Sequence, residues 1–336
     1  MIEQDLMDRL PMKWFCKFTL AIFLLSRMIP ISSKLSAGEP NEFSPERAVF
    51  SVKFREEVSP YRVMGVFVLP QEEFTLEALD NKERKQYILE TSAGQVEQVA
   101  VNKWRWRAPA ETGLYPVKII HPQMSDSITL NIFVLVPYKQ LKGEYLNDYR
   151  IGNYPSIPWR QLPIYKPPKG FLEVTKENEE TFVSPHFKLK QFLCKQESGY
   201  PKYVVLRERL LLKLEMILEK VNERGYHCEN FSILSGYRTP YYNKLIGNVK
   251  YSRHMWGGAA DIFIDENPKD DMMDDLNQDG KINYRDAAII YDIIDDMYGK
   301  HWYSVFVGGL GRYRKTESHG PFVHVDVRGF RARWGD

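Results

Sequence analysis

Between about Ala48 and Tyr138 apolar and polar residues alternate in short runs, at 49–54, 63–69, 104–106, 115–120 and 128–136, separated by turn-forming residues. A period of two sends every second side chain to the same face, so each run reads as a strand, and strands at this spacing predict an all-β sandwich over 45–138. The pattern then changes. Over 139–183 Pro155, Pro158, Pro163, Pro167 and Pro168 interrupt a stretch without helical period, which predicts an extended connector lying on a domain surface. At 206–224 apolar residues fall at Leu210, Leu211, Leu214, Ile217, Leu218 and Val221, close to helical period, with Gly225 as a stop. Strands at 231–234 and 322–327 and a helix at 287–298 complete a segment, 184–336, in which short strands and helices mix without βαβ repetition; its class is α+β.

The length of 336 residues leaves room for two domains or one elaborate one, and 43% hydrophobic content suffices for packed cores, which argues against wholesale disorder. A net charge of +2 supplies no broad cationic field, which argues against nucleic acid as a partner. Residues 1–40 carry Lys13 and Lys17, an apolar run at 18–25 and small residues up to Gly38, the layout of a secretory signal peptide; Glu3, Asp5 and Asp8 depart from it, and a start at Met12 would repair this. The apolar run is far below the roughly 20 residues of a membrane span, so the expectation is an exported chain, periplasmic or extracellular, without a transmembrane segment once mature. Cys16 would leave with the leader. Cys194 and Cys228 remain, either as one disulfide or as two buried thiols.

Candidate chemistry lies in the carboxy-terminal segment. His254 stands seven residues before Asp261 with Gly257 and Gly258 between, and the glycines permit a backbone bend that could aim both side chains at one point. In 323–328 strand alternation puts Val323, Val325 and Val327 on one face and His324, Asp326 and Arg328 on the other. Two histidines and one aspartate would make a three-ligand zinc site with its fourth position open for water.

Four ordered stretches, Ser235-Gly236-Tyr237-Arg238-Thr239-Pro240, Ser252-x-His254-x-x-Gly257-x-Ala259-x-Asp261, Gly308-Gly309-x-Gly311-x-Tyr313 and Phe322-Val323-His324-Val325-Asp326, resemble the peptidase M15 family of zinc D-Ala-D-Ala carboxypeptidases and murein endopeptidases, and within it the carboxy-terminal type of subfamily A. The resemblance implies a fold shared with the hedgehog signalling domain, zinc ligands His254, Asp261 and His324, and Arg238 as the cation that steadies substrate or transition state, with Ser252 orienting His254 or the substrate. Several branches of the family carry Glu or Asp three residues before the last histidine as general base; here that residue is Pro321, which cannot do the work. Asp326 is therefore the expected base or water-orienting group, the alternative being a partner that only orients His324; Glu317, His319 and Asp265 are further candidates. The sandwich resembles an immunoglobulin domain, and within it Trp104 and Trp106 share one strand face, where packing is the expectation and sugar binding the alternative.

Residues 275–286 place Asp275, Asn277, Asp279, Lys281, Asn283 and Asp286 at positions 1, 3, 5, 7, 9 and 12 of a loop with Gly280 at position 6, which resembles a calcium-binding EF-hand loop of the dockerin type. The position-7 contribution would come from the Lys281 backbone carbonyl, and Asp286 replaces the usual Glu. The simpler reading is a polar turn that caps the following helix. The expected function is zinc-dependent hydrolysis of amide bonds in peptidoglycan stem peptides, by a D,D-carboxypeptidase or an endopeptidase with a structural calcium ion, the sandwich engaging wall or another protein. The rivals are a non-catalytic zinc-bearing binding module and a calcium-dependent adhesion protein.

Overall fold

The computed structural model describes residues 43–80 and 86–335; the leader expected at 1–40 lies outside them. Among the described residues nine strands lie between Arg47 and Val134: β1 (Arg47–Phe54), β2 (Glu57–Tyr61), β3 (Val63–Val68), β4 (Glu73–Leu79), β5 (Ile88–Thr91), β6 (Gln95–Ala100), β7 (Lys103–Arg107), β8 (Gly113–Ile120) and β9 (Ser127–Val134). They form a five-stranded sheet of order β2-β1-β4-β7-β6 and a four-stranded sheet of order β3-β9-β8-β5, in which β3 and β9 run parallel. The predicted alternation is visible in the burial of β1 and β4, where Phe50, Val52 and Phe54, then Phe74, Leu76 and Ala78, turn inward. Trp104 and Trp106 are core residues at 5% and 0% exposure, and so cannot offer a stacking face to a sugar.

Short strands follow, β10 (Val136–Pro137), β11 (Tyr145–Leu146), β12 (Tyr149–Arg150), β13 (Gly170–Val174), β14 (Phe182–Ser184), β15 (Phe187–Lys188) and β16 (Lys202–Val204). The stretch 139–183 is not laid on a surface as its prolines suggested. Tyr149, Ile151, Tyr154, Tyr165, Phe171 and Val174 are all buried, because isolated aromatic and aliphatic residues can dive into a core without any backbone period to announce them.

Helix α1 (Glu208–Glu223) buries its predicted stripe, and with it the polar residues Lys213, Glu215 and Glu219. Arg47 meets Glu219, Arg55 meets Glu208 at 3.2 Å, Arg209 meets Glu57 at 2.7 Å, and His186 meets the buried Glu215 at 2.7 Å, so the charges of α1 are matched by the strands and loops packed over it. Lys213, on another side of the helix, donates to the carbonyls of Phe306 and Asp326. One continuous core therefore runs from Phe50 through α1 to Val327.

The remaining elements are α2 (Pro240–Leu245), α3 (Tyr284–Asp295) and a sheet of β17 (Ser232–Ser235), β18 (Ala259–Phe263), β19 (Gly309–Tyr313), β20 (Phe322–Asp326) and β21 (Ala332–Trp334), in the order β17-β18-β20-β19-β21. All neighbours are antiparallel except β19 and β21. The whole is mixed α+β and mostly β. Cys194 and Cys228 are buried and unlinked, and burial pushes both thiols above their ordinary range. No described helix is long and apolar enough to cross a membrane.

Candidate metal centre

A single row of residues crosses the last sheet. Ser235 of β17 lies opposite Asp261 of β18, Asp261 opposite His324 of β20, His324 opposite Gly311 of β19, and Gly311 opposite Trp334 of β21. Directly paired residues share a face, so strand register alone brings Asp261 to His324. His254 joins them from the 3-10 turn Arg253–Trp256, which Gly257 closes with a φ of 62°. A side chain at Gly257 would also place its Cβ 2.1 Å from the Val205 carbonyl oxygen, so this bend requires glycine twice over.

The proline-bearing stretch holds that turn in place. Tyr154 donates its hydroxyl to the Met255 carbonyl at 2.9 Å, Arg253 donates to Ile164 O at 2.9 Å, and the Trp256 indole donates to Lys166 O at 2.9 Å. No sequence period marked these contacts; the density of aromatic residues at 154–165 was the available sign.

His254 Nε2, His324 Nδ1 and Asp261 Oδ1 converge. The separations are 3.2 Å between the two imidazole nitrogens, 2.7 Å from His324 to Asp261 and 3.2 Å from His254 to Asp261. These three residues are buried and form the three-ligand grouping found among the described residues. Each has a second partner on its far side: His254 Nδ1 donates to Gly236 O at 2.7 Å, His324 Nε2 faces Asp326 Oδ2 at 3.2 Å, and Arg238 Nη2 holds Asp261 Oδ2 at 2.7 Å. With the ring protons on the outer nitrogens, three lone pairs point at one another, an arrangement that only a shared proton or a cation reconciles. Two imidazoles and a carboxylate, each braced from behind, fit zinc.

Electrostatics agree with this geometry. Burial disfavours the carboxylate of Asp261, yet His254 and His324 outweigh it and hold the group below the usual range. Burial lowers His254, with Arg238 adding to the effect against the pull of Asp261. For His324 the burial penalty is overcome by hydrogen bonds to Asp261 and Asp326, and its pKa is raised.

Asp326 is placed behind this grouping. It is fully buried, does not line the cleft in front of the cluster, and is occupied on every side: Gly309 N–H and Arg328 N–H reach Oδ1 at 2.8 and 3.0 Å, and Arg328 Nε reaches Oδ2 at 2.9 Å. Its hydrogen bonds to His324 and Arg328 hold Asp326 well below the usual carboxylate range despite its burial.

The cleft has a volume of about 990 Å³ and is lined by Arg238, Ser252, His254, Asp261, His319 and His324 among others. Of the other candidate bases, His319 lines it, whereas Glu317 and Asp265 do not. Asp265 spends its oxygens on the Asp270 and Asp271 N–H groups. His319 donates Nδ1–H to Gly320 O at 2.8 Å and packs edge-on against Phe322, which leaves Nε2 with a lone pair. Trp334 was missed in the sequence. Its ring lies 5.1 Å from that of His324 and its Nε1 donates to the Tyr313 hydroxyl at 2.7 Å; Gly311 permits this, since a Cβ there would sit 2.3 Å from the indole nitrogen.

The loop 275–286 is built differently. Asp275 accepts the Asp279 and Gly280 N–H groups, Asn277 also accepts Asp279 N–H, and Asp279 accepts Lys281 N–H while lying 3.6 Å from Arg285. Asp286 receives Asn277 and Asn283 N–H, and Asn283 caps α3, so the capping role read from the sequence is present.

Comparison with known proteins bears on this segment. A family model described as peptidase M15 matches residues 185–284, which takes in Arg238, Ser252, His254 and Asp261 and ends before His324. No curated protein matches the chain. The match supports a peptidase domain of metallopeptidase type in this part of the molecule.

Proposed function

We propose that the chain is an exported zinc peptidase that hydrolyses amide bonds in peptidoglycan stem peptides, with His254, Asp261 and His324 as zinc ligands. The observation that carries this reading is the convergence of three acceptor atoms within 2.7 to 3.2 Å, each braced from outside. Bound there, zinc would lower the pKa of water and polarise the scissile carbonyl. His319 Nε2 is the group in the cleft able to take a proton and return it to the leaving amine, the part that Pro321 cannot play. Arg238 fixes Asp261 through Nη2 and Ser235 through Nε, at 2.7 and 2.8 Å, and its Nη1 is the donor left for a developing oxyanion or a terminal carboxylate. Ser252 lines the same wall and is assigned to substrate binding. Asp326 acts as the residue that orients His324, in place of the base role expected from its strand face.

The sandwich at 45–138, immunoglobulin-like in this reading, serves to position a hedgehog-type catalytic segment on its wall or protein partner. The loop 275–286 is assigned a structural calcium ion, supported by the spacing of its oxygens and by Gly280 with a φ of 78°. Digestion of purified peptidoglycan followed by mass spectrometry of the products tests the function: release of peptides or D-alanine that stops on chelation is expected, and unchanged muropeptides at full zinc loading would overturn it.

A further inference from the structure

Among the residues lining the cleft the single carboxylate is Asp261, and Arg238 and the two imidazoles already saturate it. Of the other cations in the cleft walls, Arg328 is held by Asp326, and Arg253 is buried, with Nη1 on the Ile164 carbonyl and Nε and Nη2 unpaired, so the exposed cations are Lys195 and Lys250. Among the described residues neither ammonium group meets a carboxylate; that of Lys250 lies 5.5 Å above the Tyr251 ring. Each is flanked by a hydrogen-bonded neighbour. Next to Lys195 the buried Gln196 donates to Arg150 O at 3.1 Å and accepts the Thr239 hydroxyl at 2.5 Å. The turn that leads into Lys250 is closed by the buried Asn243, which donates to Val249 O at 3.0 Å and accepts Asn248 N–H at 3.0 Å. On that same braced turn Ile246 and Val249, 46% and 68% exposed, also line the cleft. Large aliphatic side chains held in the open beside uncompensated positive charge form a surface suited to an amphiphilic anion.

We propose that Lys195 and Lys250 are specificity-determining residues of this cleft, selecting peptides that carry a carboxylate apart from the scissile amide while Ile246 and Val249 receive the apolar part of the chain. The proposal rests on the cleft being the substrate site. The cleft volume of about 990 Å³ lies at the upper end of ligand pockets, which leaves room for residues beyond those at the reacting bond.

The test uses the full chain and a panel of end-blocked alanine pentapeptides in which one position, moved along the peptide, is Glu or Gln. Binding is read from tryptophan fluorescence, because Trp159 and Trp334 line the cleft. For at least one position the wild type should bind the Glu peptide about five- to tenfold more tightly than its Gln twin at low salt, a difference that salt erodes. Lys195→Met and Lys250→Met should each reduce this preference, their combination should abolish it, and Lys→Arg at both positions should keep it. Equal binding of Glu and Gln peptides throughout by the wild type, or a preference that survives in the double Met variant, would overturn the proposal. Because the readout is binding, a preference lost on schedule in a protein that cleaves nothing would defeat the hydrolase reading and leave this one standing.

Discussion

Two regions of this chain are assigned a cation in the proposed function, and they are constructed on opposite plans. The His254, Asp261 and His324 grouping is assembled from residues up to 70 positions apart by strand register and one glycine-closed turn, and its members are 2 to 6% exposed. The loop at 275–286 is local and exposed over 277–282, and its oxygens are turned onto its own backbone N–H groups. In the first, every ligand has a partner behind it that fixes which atom faces inward. In the second, a cation would have to share oxygens that already accept amides, through their remaining lone pairs. Preorganisation by outer partners, more than the number of donors, separates the two.

The sharpest way to break this comparison is inside the cleft. His319→Ala should leave zinc content unchanged and lower kcat by roughly 10²- to 10⁴-fold, the usual worth of a general acid–base group. A variant with full turnover would remove His319 from the mechanism. Next comes Asp326→Asn, which should weaken zinc affinity by about 10- to 100-fold, as other outer partners do, while turnover recovers at saturating zinc. Unchanged affinity with lost turnover would return Asp326 to the role of base. For the loop, Asp275→Ala should remove a rise in Tm on adding calcium and leave Tm in chelator within a few degrees; a calcium response unchanged by the substitution would refute the loop assignment.

The smallest effect concerns the support beneath the metal sheet. Burial drives the Lys213 ammonium down to about 7, although Asp326 opposes the shift, and as a neutral amine it can still donate to Phe306 O and Asp326 O. Its pKa in the folded state thus lies below that of the unfolded chain. Between these values the unfolded chain binds the extra proton, so stability should rise with pH from about 7 towards 10. Urea midpoints measured at pH 6.5 and 9 should show a smaller rise in Lys213→Met than in the wild type; identical rises would contradict the assignment.

How much of this was legible follows from the kind of signal each part emits. Strands such as β1 and β4, and the apolar stripe of α1, announce themselves by period, and the spacing around His254, Asp261 and His324 marked the cluster in advance. Alternation put Asp326 and His324 on one face, but it cannot tell which ring nitrogen a carboxylate meets; here it is Nε2, away from Asp261, and this contact is the basis of the orienting role proposed for Asp326. The role of 139–183 was hidden because Tyr154, Ile164 and Lys166 act through a hydroxyl and two backbone carbonyls, which have no sequence spacing. Trp334 was hidden by its three-residue strand, too short to show a period.

The central claim, that three inward-facing acceptor atoms await one divalent ion, is tested most directly by measuring zinc stoichiometry and affinity of the wild type beside His254→Ala and His324→Ala, after chelation and dialysis against limiting zinc. The account predicts one tightly held zinc ion in the wild type and none in either variant. Zinc retained by both variants, or none bound by a folded wild type, would contradict it.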